Sequence, residues 1–392
     1  MAEQIFKISH RCIASKARRG VVTLPHGTAQ TPGFMSIGTA GSVKSLTVFD
    51  LHALGAEIIL GNTYHLWIKP DLEVLRRAGG LHTFGGWDGP ILTDSGGFQA
   101  FSLGAIRKFS EEGVTFKVPA NGDLRFLSPE KSMQIQSIIG SDITLVLDEL
   151  LEAEVDHKAA TEAMLRTRRW AERSQLEFKK LRNDQAYRAT TLNTDILATP
   201  NGVLFGIPQG AQFTDLRAES ARLTMELDFA GYSVGGVANG GEPEEVMYSQ
   251  VLTQTEILEE HKPRHLLGVG TPKDIVQMVA RGVDLFDCVY PTRNARHGSL
   301  IFELDDSTYE EVQITAKRYE FDFSPINGDS KIPELRLYSK AYLRHLLRAK
   351  ELLGMRLATL QNLDFYYRLM HTIRTKIEHG AFDSWWEGYK RL

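Results

Sequence analysis

The chain has 392 residues, 42% of them hydrophobic, so it is long enough to bury one large core or two domains. A net charge of −4 and an isoelectric point near 6.3 give no indication of a nucleic-acid partner, although such a partner could still bind a local basic face. The two cysteines, Cys12 and Cys288, are too few for a disulfide framework or a four-cysteine zinc site. The first residues lack a signal peptide's apolar core and no segment could span a membrane, so we expect a soluble cytoplasmic protein.

Short apolar segments of strand length recur through the first three quarters of the chain. Each ends in glycine or a polar residue, and near-continuous apolar character is typical of parallel strands buried on both faces. The eight segments are 32–38, 57–63, 90–97, 142–149, 202–210, 231–237, 264–270 and 285–292. Segments with apolar residues at three- and four-residue spacing lie between most of them and predict helices. Eight such units favour an α/β fold, a closed (β/α)₈ TIM barrel, with an open doubly wound sheet as the alternative.

The two ends of the chain depart from this alternation. Residues 6–27 alternate polar and apolar types between turn signals, which predicts a hairpin at the bottom of the barrel. We assign residues 1–300 to the barrel core and residues 301–392 to a C-terminal insertion followed by basic helices. Four basic residues there follow one another at four-residue spacing: Arg336, Lys340, Arg344 and Arg348. They would share one face of a helix that begins early enough, and a solvated helix face is the alternative to a nucleic-acid contact.

The carboxyl ends of the predicted strands carry the residues with chemistry. In a TIM barrel these ends form one rim where catalytic residues lie. The rim residues are Asn62, Asp94, Asp148, Gln209, Gly235, Gly236, Gly268 and Asp287. One carboxylate can attack a sugar carbon while a second carries the proton of the leaving group, as in retaining glycosyl transfer, and a base–sugar bond yields to the same scheme. A lone strand-end aspartate is typically a helix cap or an ion-pair partner, but three on one rim favour catalysis.

The rest of the rim suits a flat, purine-like ring. The carboxylate of Asp148 can accept from ring N–H groups, while the amide of Gln209 and the backbone at Gly235–Gly236 can bind an exocyclic oxygen. Phe98 could stack on that ring, although plain packing is equally typical. Cys288 follows a rim aspartate, but side chains alternate along a strand and a neighbouring carboxylate raises the pKa of a thiol. We therefore predict a packing role for Cys288.

Several motifs in a fixed order resemble the queuine tRNA-ribosyltransferases, or tRNA-guanine transglycosylases, over nearly the whole chain. They are GNTYHL (61–66), LTDSGGFQAFSLG (92–104), SEEGVTF (110–116), FLSPEKSMQIQ (126–136), GSDITLVLDE (140–149), GIPQG (206–210), GVGTPKD (268–274) and FDCVYPTRNARHG (286–298). The third and fourth motifs resemble the bacterial branch. The resemblance implies a TIM-barrel pentosyltransferase that exchanges the wobble guanine of tRNA for a 7-deazaguanine base, either the pre-queuosine base or queuine.

The resemblance also implies roles for single residues. It makes Asp287 the nucleophile, which forms a covalent bond to the ribose, and Asp94 the general acid and base. The base would be bound by Asp94, Ser95, Gly96, Gly97, Phe98, Asp148, Gln209, Gly236 and Leu267. The anticodon loop of the tRNA would meet two segments, formed by Gly268, Val269, Gly270, Thr271, Pro272, Lys273 and Asp274 and by Thr292, Arg293, Asn294, Ala295 and Arg296.

The C-terminal part departs from the family pattern. Related chains carry a structural zinc there, held by Cys-x-Cys-x-x-Cys and a downstream histidine, and their usual homodimer involves this region. The corresponding stretch here, FSPINGDSKIPELRLYSKAYLRHL, has no cysteine, and the histidine position is Gln361. We therefore predict that the chain binds no zinc and needs no cofactor.

The base pocket departs from the pattern as well. Leu150 stands where bacterial members usually have cysteine, and Asn239 stands where a small apolar residue is common. These changes favour altered base selectivity, with queuine as a candidate. Two other functions stay open: a non-catalytic subunit that binds tRNA, and a related enzyme acting on another nucleic acid such as DNA. Retention of Asp94 and Asp287 argues against the first.

Overall fold

The computed structural model describes residues 4–99, 107–119, 122–151, 155–237 and 243–392. Its strands are β1 Phe6–Arg11, β2 Arg18–Leu24, β3 Gly27–Thr31, β4 Gly33–Gly38, β5 Ile59–Gly61, β6 Ile91–Thr93, β7 Arg107–Phe109, β8 Val114–Lys117, β9 Leu124–Leu127, β10 Ile143–Leu145, β11 Val203–Gly206, β12 Gly231–Val234, β13 Arg264–Leu266, β14 Leu285–Asp287, β15 Ser299–Glu303, β16 Thr308–Gln313 and β17 Lys390–Arg391. Its α-helices are α1 Val48–Leu54, α2 Thr63–Leu66, α3 Leu72–Ala78, α4 Leu81–Gly85, α5 Pro129–Ile139, α6 His157–Asn183, α7 Gln185–Leu192, α8 Thr214–Met225, α9 Glu244–Ile257, α10 Pro272–Ala280, α11 Tyr290–Arg296, α12 Pro333–Leu337, α13 Lys340–Arg348, α14 Leu352–Glu378 and α15 Phe382–Trp385.

Eight parallel strands close into a barrel. Around the barrel they run β4, β5, β6, β10, β11, β12, β13 and β14, and β14 pairs with β4 to complete the circle. Each of the eight lies within one of the apolar segments that predicted strands. The residues of β4, β10 and β12 are all buried, which is the reason that these strands read as continuous apolar runs. The closed barrel confirms the predicted (β/α)₈ fold and excludes the open sheet.

The N-terminal residues form a three-stranded antiparallel sheet, β1–β2–β3, where the sequence predicted a two-stranded hairpin. The third strand was missed because the tight turn after Leu24 leads directly into a short, largely polar segment. Arg18 on β2 donates two hydrogen bonds, of 2.8 and 2.6 Å, to the carboxylate of Asp284, directly before β14. Asp284 also accepts from the backbone N–H of Arg264 at 2.7 Å. The sheet therefore covers the amino-terminal end of the barrel, opposite the rim.

A second antiparallel sheet, β7–β8–β9, follows the third barrel strand. Its strands have only three or four residues and mix charged with apolar side chains, so they lacked the apolar runs that predict strands. Phe116 on β8 is buried, and its ring lies 5.3 Å from that of Tyr64 and 6.0 Å from that of Trp67. Aromatic contacts thus attach this sheet to the segment after β5.

The 27-residue helix α14 packs against the first barrel strand. The ring of Tyr366 lies 4.8 Å from that of Phe34, and the hydroxyl of Tyr367 is 2.7 Å from Ser36 Oγ. The helix also reaches the end of the barrel, because Asn362 Nδ2 donates to the carbonyl oxygen of Pro291 at 3.0 Å. Among the described helices, none combines the length and apolar character needed to cross a bilayer.

The four basic residues Arg336, Lys340, Arg344 and Arg348 do not all lie on one helix, although their four-residue spacing would have allowed it. Arg336 lies in the short helix α12, which ends before Tyr338, and α13 begins at Lys340 with Ser339 as its N-cap. A serine side chain that accepts from the first-turn backbone starts a new helix, so the face is interrupted there. Lys340 and Arg344 lie 3.9 Å from Asp322 and Glu320, respectively, and Arg348 is exposed.

The buried Arg18–Asp284 pair should contribute strongly to stability. Arg18→Met would leave Asp284 buried without its cation, and we expect a loss of about 3–5 kcal/mol in the free energy of unfolding, measured with urea. Arg11→Met is the matched control, because Arg11 pairs with Glu260 while its side chain is 50% exposed. That substitution should cost about 1 kcal/mol or less. Equal losses in the two variants would contradict this account.

Candidate active site

Three aspartates meet at the carboxyl ends of the barrel strands. Asp94 directly follows β6, Asp148 lies three residues after β10, and Asp287 is the last residue of β14. Burial raises the pKa of Asp94, and the charge of Asp287 raises that pKa further. The charge of Asp94 likewise adds to the effect of burial in raising the pKa of Asp148. The barrel therefore brings these three carboxylates, predicted for one rim, within electrostatic reach of one another.

Asp94 is held by three hydrogen-bond donors. Asn62 Nδ2 and Gln99 Nε2 donate to its Oδ2 at 2.5 and 2.8 Å, and the backbone N–H of Thr63 donates to its Oδ1 at 2.8 Å. These bonds favour the ionised form, but burial outweighs them and leaves the pKa of Asp94 above its usual value. The protonated form therefore persists to higher pH than in an ordinary aspartate. Thr63 and Gln99 were not predicted as site residues. The Thr63 contact depends on the pairing of β5 with β6, whereas Gln99 lies only five residues after Asp94 and reaches it through the local path of the chain.

Asp148 and Gln209 form a buried polar pair. Gln209 Nε2 donates to Asp148 Oδ2 at 2.6 Å, and Ser95 Oγ donates to Asp148 Oδ1 at 3.0 Å. The backbone of Gln209 is also fixed, because its N–H donates to Ser220 Oγ at 2.8 Å. Burial raises the pKa of Asp148 to about 6. The pair offers a carboxylate and an amide side by side, as a base with donor and acceptor edges requires.

The glycines after β12 approach Gln209 too closely for any side chain. Gly236 has a φ of +65°, and a Cβ there would lie 2.1 Å from Gln209 Oε1. Arg217 is fully buried on α8 and donates to the carbonyl oxygens of Gly235, at 2.5 Å, and of Gly236. This arginine was not predicted as a site residue. The sequence did carry a signal for it, because Arg217 falls on the buried face of a predicted amphipathic helix. A buried cation needs hydrogen-bond acceptors close to it.

Among the described residues, the hydrogen-bond partners of Asp287 all contact one of its two oxygens. His265 Nε2 lies 2.8 Å from Oδ1, and the backbone N–H of Gly268 donates to the same oxygen at 3.3 Å. Within the described ranges no donor contacts Oδ2. The nucleophile predicted from sequence therefore has one anchored oxygen and one open oxygen. His265 was not predicted as a site residue, although it lies on β13, the strand that ends directly before the predicted base-binding residue Leu267.

Cys288 faces away from this site. A Cβ on Gly270 would lie 2.2 Å from Cys288 Cβ, so the cysteine packs directly on that glycine. Burial, together with the charge of the neighbouring Asp287, raises the pKa of the Cys288 thiol to about 12. A thiol with such a pKa stays protonated at neutral pH and is a poor nucleophile.

The other residues expected to bind the base surround the carboxylates. Ser95 is buried and accepts from the N–H of Gly97 at 3.1 Å, while Gly96 between them has a φ of +81°. Phe98 is 51% exposed, and Leu267 is half-buried. An aromatic ring that open to solvent is available to stack on a ligand.

Leu150 and Asn239 are the two residues at which the sequence departs from the family's usual base pocket. Leu150 lies two residues after Asp148 and is buried. Asn239 lies outside the described residues.

The segments expected to contact tRNA expose only part of their residues. Four residues have accessible polar groups: Gly268, Lys273, Arg293 and Arg296. Gly268 has a φ of +75°, and Lys273 pairs with Glu244 at 2.5 Å. The side chain of Arg293 is exposed and that of Arg296 is half-buried. Arg293 has no side-chain partner among the described residues. The buried residues are Val269, Gly270, Pro272, Asp274, Thr292 and Ala295, while Thr271 and Asn294 are half-buried. Thr271 caps helix α10 by accepting from the N–H of Asp274 at 3.2 Å.

The four positions at which the family resemblance implies zinc ligands carry other residues here. Ser330, Ile332 and Leu335 have the Cys-x-Cys-x-x-Cys spacing, and all three are buried. Gln361 accepts from Asn327 Nδ2 at 3.2 Å and donates to the carbonyl oxygen of Ile301 at 2.8 Å. A hydroxyl, two aliphatic groups and an engaged amide do not fit zinc, which prefers thiolate and imidazole.

The described residues contain one other group that could hold a metal, formed by His26, His82 and Asp142 at the far end of the barrel. The two ring nitrogens lie 2.9 and 3.2 Å from the carboxylate of Asp142. His82 Nε2 also lies 3.1 Å from the carbonyl oxygen of Gly89, so it acts as a hydrogen-bond donor. The contacts are those of a buried hydrogen-bonded cluster.

The rim of this eight-stranded α/β barrel carries Asp94, whose carboxyl can be protonated, and Asp287, whose carboxylate is held through one oxygen. Such a pair on a barrel rim defines the class of a glycosyl-transfer enzyme. A family model described as Queuine tRNA-ribosyltransferase matches residues 12–391. The chain is 48% identical over 369 residues to the queuine tRNA-ribosyltransferase of Neisseria meningitidis serogroup A, covering 94% of this chain and 93% of that protein. It is 47% identical to the proteins of the same name from Chromobacterium violaceum, over 94% of this chain and 93% of the relative, and Nitrosomonas europaea, over 96% and 95%. The chain therefore belongs to the queuine tRNA-ribosyltransferase family and is a tRNA-guanine transglycosylase, a pentosyltransferase.

Proposed function

We propose that this enzyme exchanges the wobble guanine of tRNA for a 7-deazaguanine base by double displacement through an ester between Asp287 and the ribose. The observation that supports this mechanism is the asymmetry of Asp287, whose Oδ1 accepts from His265 and Gly268 while Oδ2 has no donor among the described residues. A carboxylate anchored in this way presents one oxygen in a defined direction, as nucleophilic attack requires.

In the first displacement, Asp287 Oδ2 attacks C1′ of the ribose. The bond from C1′ to the guanine nitrogen breaks, and the electron pair leaves with the base. Protonated Asp94 supplies the proton that makes guanine a neutral leaving group, and its raised pKa favours the acid form that this step needs. The products are an Asp287 ester, free guanine and an ionised Asp94.

In the second displacement, ionised Asp94 removes the ring N–H proton of the incoming 7-deazaguanine. The nitrogen then attacks C1′, the ester bond breaks and Asp287 recovers its carboxylate. Each side chain ends in the state in which it began, so proton and charge balance over the cycle.

The base is held by its edge and its faces. Ionised Asp148 would accept from the two adjacent N–H groups of a guanine-like edge, while amide groups of Gln209 and Gly236 would donate to its oxygen. Phe98 and Leu267 would cover the faces of the ring. The inserted base would be the pre-queuosine base or queuine, and the buried apolar Leu150 near Asp148 favours a selectivity different from that of a cysteine-containing pocket.

The tRNA acted on by this family would approach the rim through its anticodon loop. Arg293 is exposed and has no side-chain partner in the part of the chain that the structure describes, so it is available to a phosphate. Lys273, Arg296 and the backbone of Gly268 would complete the contact, while the buried members of both segments stabilise the loops.

We propose that the enzyme is located in the cytoplasm.

We also propose that the enzyme forms a homodimer, as the family resemblance implies. Phe49 on α1 is 83% exposed, and Leu352 at the start of α14 is 78% exposed. Arg356 on α14 bridges Asp50 on α1 and Glu334 on α12, the latter at 2.9 Å. These ion pairs hold α1, α12 and α14 together, and the exposed apolar residues Phe49 and Leu352 lie on two of these helices. Exposed apolar side chains on helices that pack together are typical of an interface.

The covalent step can be tested with an RNA stem-loop that carries a wobble guanine. Wild-type enzyme should give an adduct on denaturing gels, and Asp287→Asn should abolish it because no nucleophile remains. Asp94→Asn should lower kcat about 10²–10⁴-fold through loss of the acid. Asp305→Asn, at a surface aspartate, is the matched control. An adduct in Asp287→Asn would contradict the mechanism, and a wild-type adduct with the equivalent DNA alone would favour a different nucleic acid.

Base binding should depend on the ionisation of Asp148. The pKa of this side chain is about 6, and only its ionised form accepts the N–H donors of the base. KM for guanine in the exchange reaction should therefore rise about tenfold between about pH 7 and pH 5, because protonation increases tenfold per unit below the pKa. Asp148→Asn should have a high KM with no such pH dependence. A flat wild-type profile would contradict this assignment.

We propose that the enzyme needs no zinc. Purified protein should contain far less than one equivalent of the metal, and a chelator should leave its urea unfolding midpoint unchanged, because apolar packing replaces the metal cross-link. One equivalent of zinc by elemental analysis would overturn the proposal.

A further inference from the structure

A hydrogen-bonded chain runs from the barrel interior to the nucleophile. Ser233 on β12 is the direct parallel-strand partner of His265 on β13, and both are fully buried. Ser233 Oγ lies 3.0 Å from His265 Nδ1, and His265 Nε2 lies 2.8 Å from Asp287 Oδ1. Three neighbouring strands thus supply one side chain each.

The chemistry of the chain assigns its protons. An ionised carboxylate only accepts, so His265 Nε2 must carry the hydrogen that it shares with Asp287. In a neutral imidazole, Nδ1 is then an acceptor, and the hydroxyl of Ser233 is its donor. Ser233 therefore selects the tautomer that can hold Asp287.

We propose that His265 is a positioning residue for the nucleophile, and this inference rests on the proposed ester mechanism. It holds Oδ1 of Asp287 so that Oδ2 faces the ribose carbon. The other donor to Oδ1, the N–H of Gly268, is 3.3 Å away, so His265 makes the shorter bond. In its neutral form, His265 would restrain the carboxylate while leaving its negative charge uncompensated by a formal cation, which keeps it nucleophilic.

The experiment compares three variants in single-turnover adduct formation with the wobble-guanine RNA stem-loop. His265→Leu removes the donor while filling the buried space, His265→Gln keeps an N–H donor on a side chain of similar reach, and Ser233→Ala removes the group that selects the tautomer. Misorientation of a reacting group by about 1 Å costs on the order of 10²-fold in rate. We expect His265→Leu to slow adduct formation about 10–100-fold, Ser233→Ala to slow it about 3–10-fold, and His265→Gln to recover most of the rate, with KM for the RNA changing by less than about twofold.

Ser36→Ala is the matched control for loss of a buried hydroxyl on a barrel strand. Ser36 is fully buried on β4, but its hydroxyl contacts Tyr367 and not Asp287. Its adduct rate should equal that of wild type. Urea unfolding midpoints of all variants separate a loss of folding from a loss of positioning.

Two outcomes would overturn the role of His265. The first is an unchanged adduct rate in His265→Leu. The second is that His265→Gln is as slow as His265→Leu with equally lowered unfolding midpoints, which would indicate a structural role only. Absence of an adduct with wild-type enzyme would instead overturn the ester mechanism itself, so the two failures are distinguishable.

Discussion

The pairing of β14 with β4 closes the barrel, and the geometry of the site depends on that closure. Parallel strands all end on the same side, so closure gathers the carboxyl ends of eight strands into one ring. Asp94 and Asp287 come from strands separated by almost two hundred residues, yet the charge of one raises the pKa of the other. An open sheet would leave β14 and β4 as distant edges. The long helix α14 packs on β4 beside this seam and stabilises it from outside.

The same rim gives three carboxylates different environments. Asp94 and Asp148 are buried deeply enough that their pKa values rise in spite of neutral hydrogen-bond donors. Asp287 ends its strand with one oxygen bound by His265 and Gly268, while none of the described residues donates to the other. Like charges in a water-poor site resist simultaneous ionisation, which favours one acid beside one nucleophile. The division of labour proposed for glycosyl transfer follows from burial and donor placement, since the side chains themselves are identical.

In the C-terminal region, aliphatic and amide side chains occupy the positions at which the family resemblance implies zinc ligands. Ile332 and Leu335 are buried at two of the positions with ligand spacing, and the amides of Asn327 and Gln361 are joined directly. Aliphatic burial and an amide–amide hydrogen bond need neither thiolates nor a particular oxidation state. The fold around α14 is therefore compatible with a chain that has only two cysteines.

The sequence by itself determined the barrel and its three rim aspartates, because buried parallel strands leave apolar runs and strand ends are local features. It also indicated that Cys288 faces away from Asp287, since alternation along a strand is local too. The tertiary structure alone decided the contacts that set chemical state. Arg217 reaches the carbonyls of Gly235 and Gly236, and His265 reaches a carboxylate on the next strand. These partners lie 18 to 22 residues apart along the chain and meet only when neighbouring barrel strands pair, so no spacing rule could reveal them.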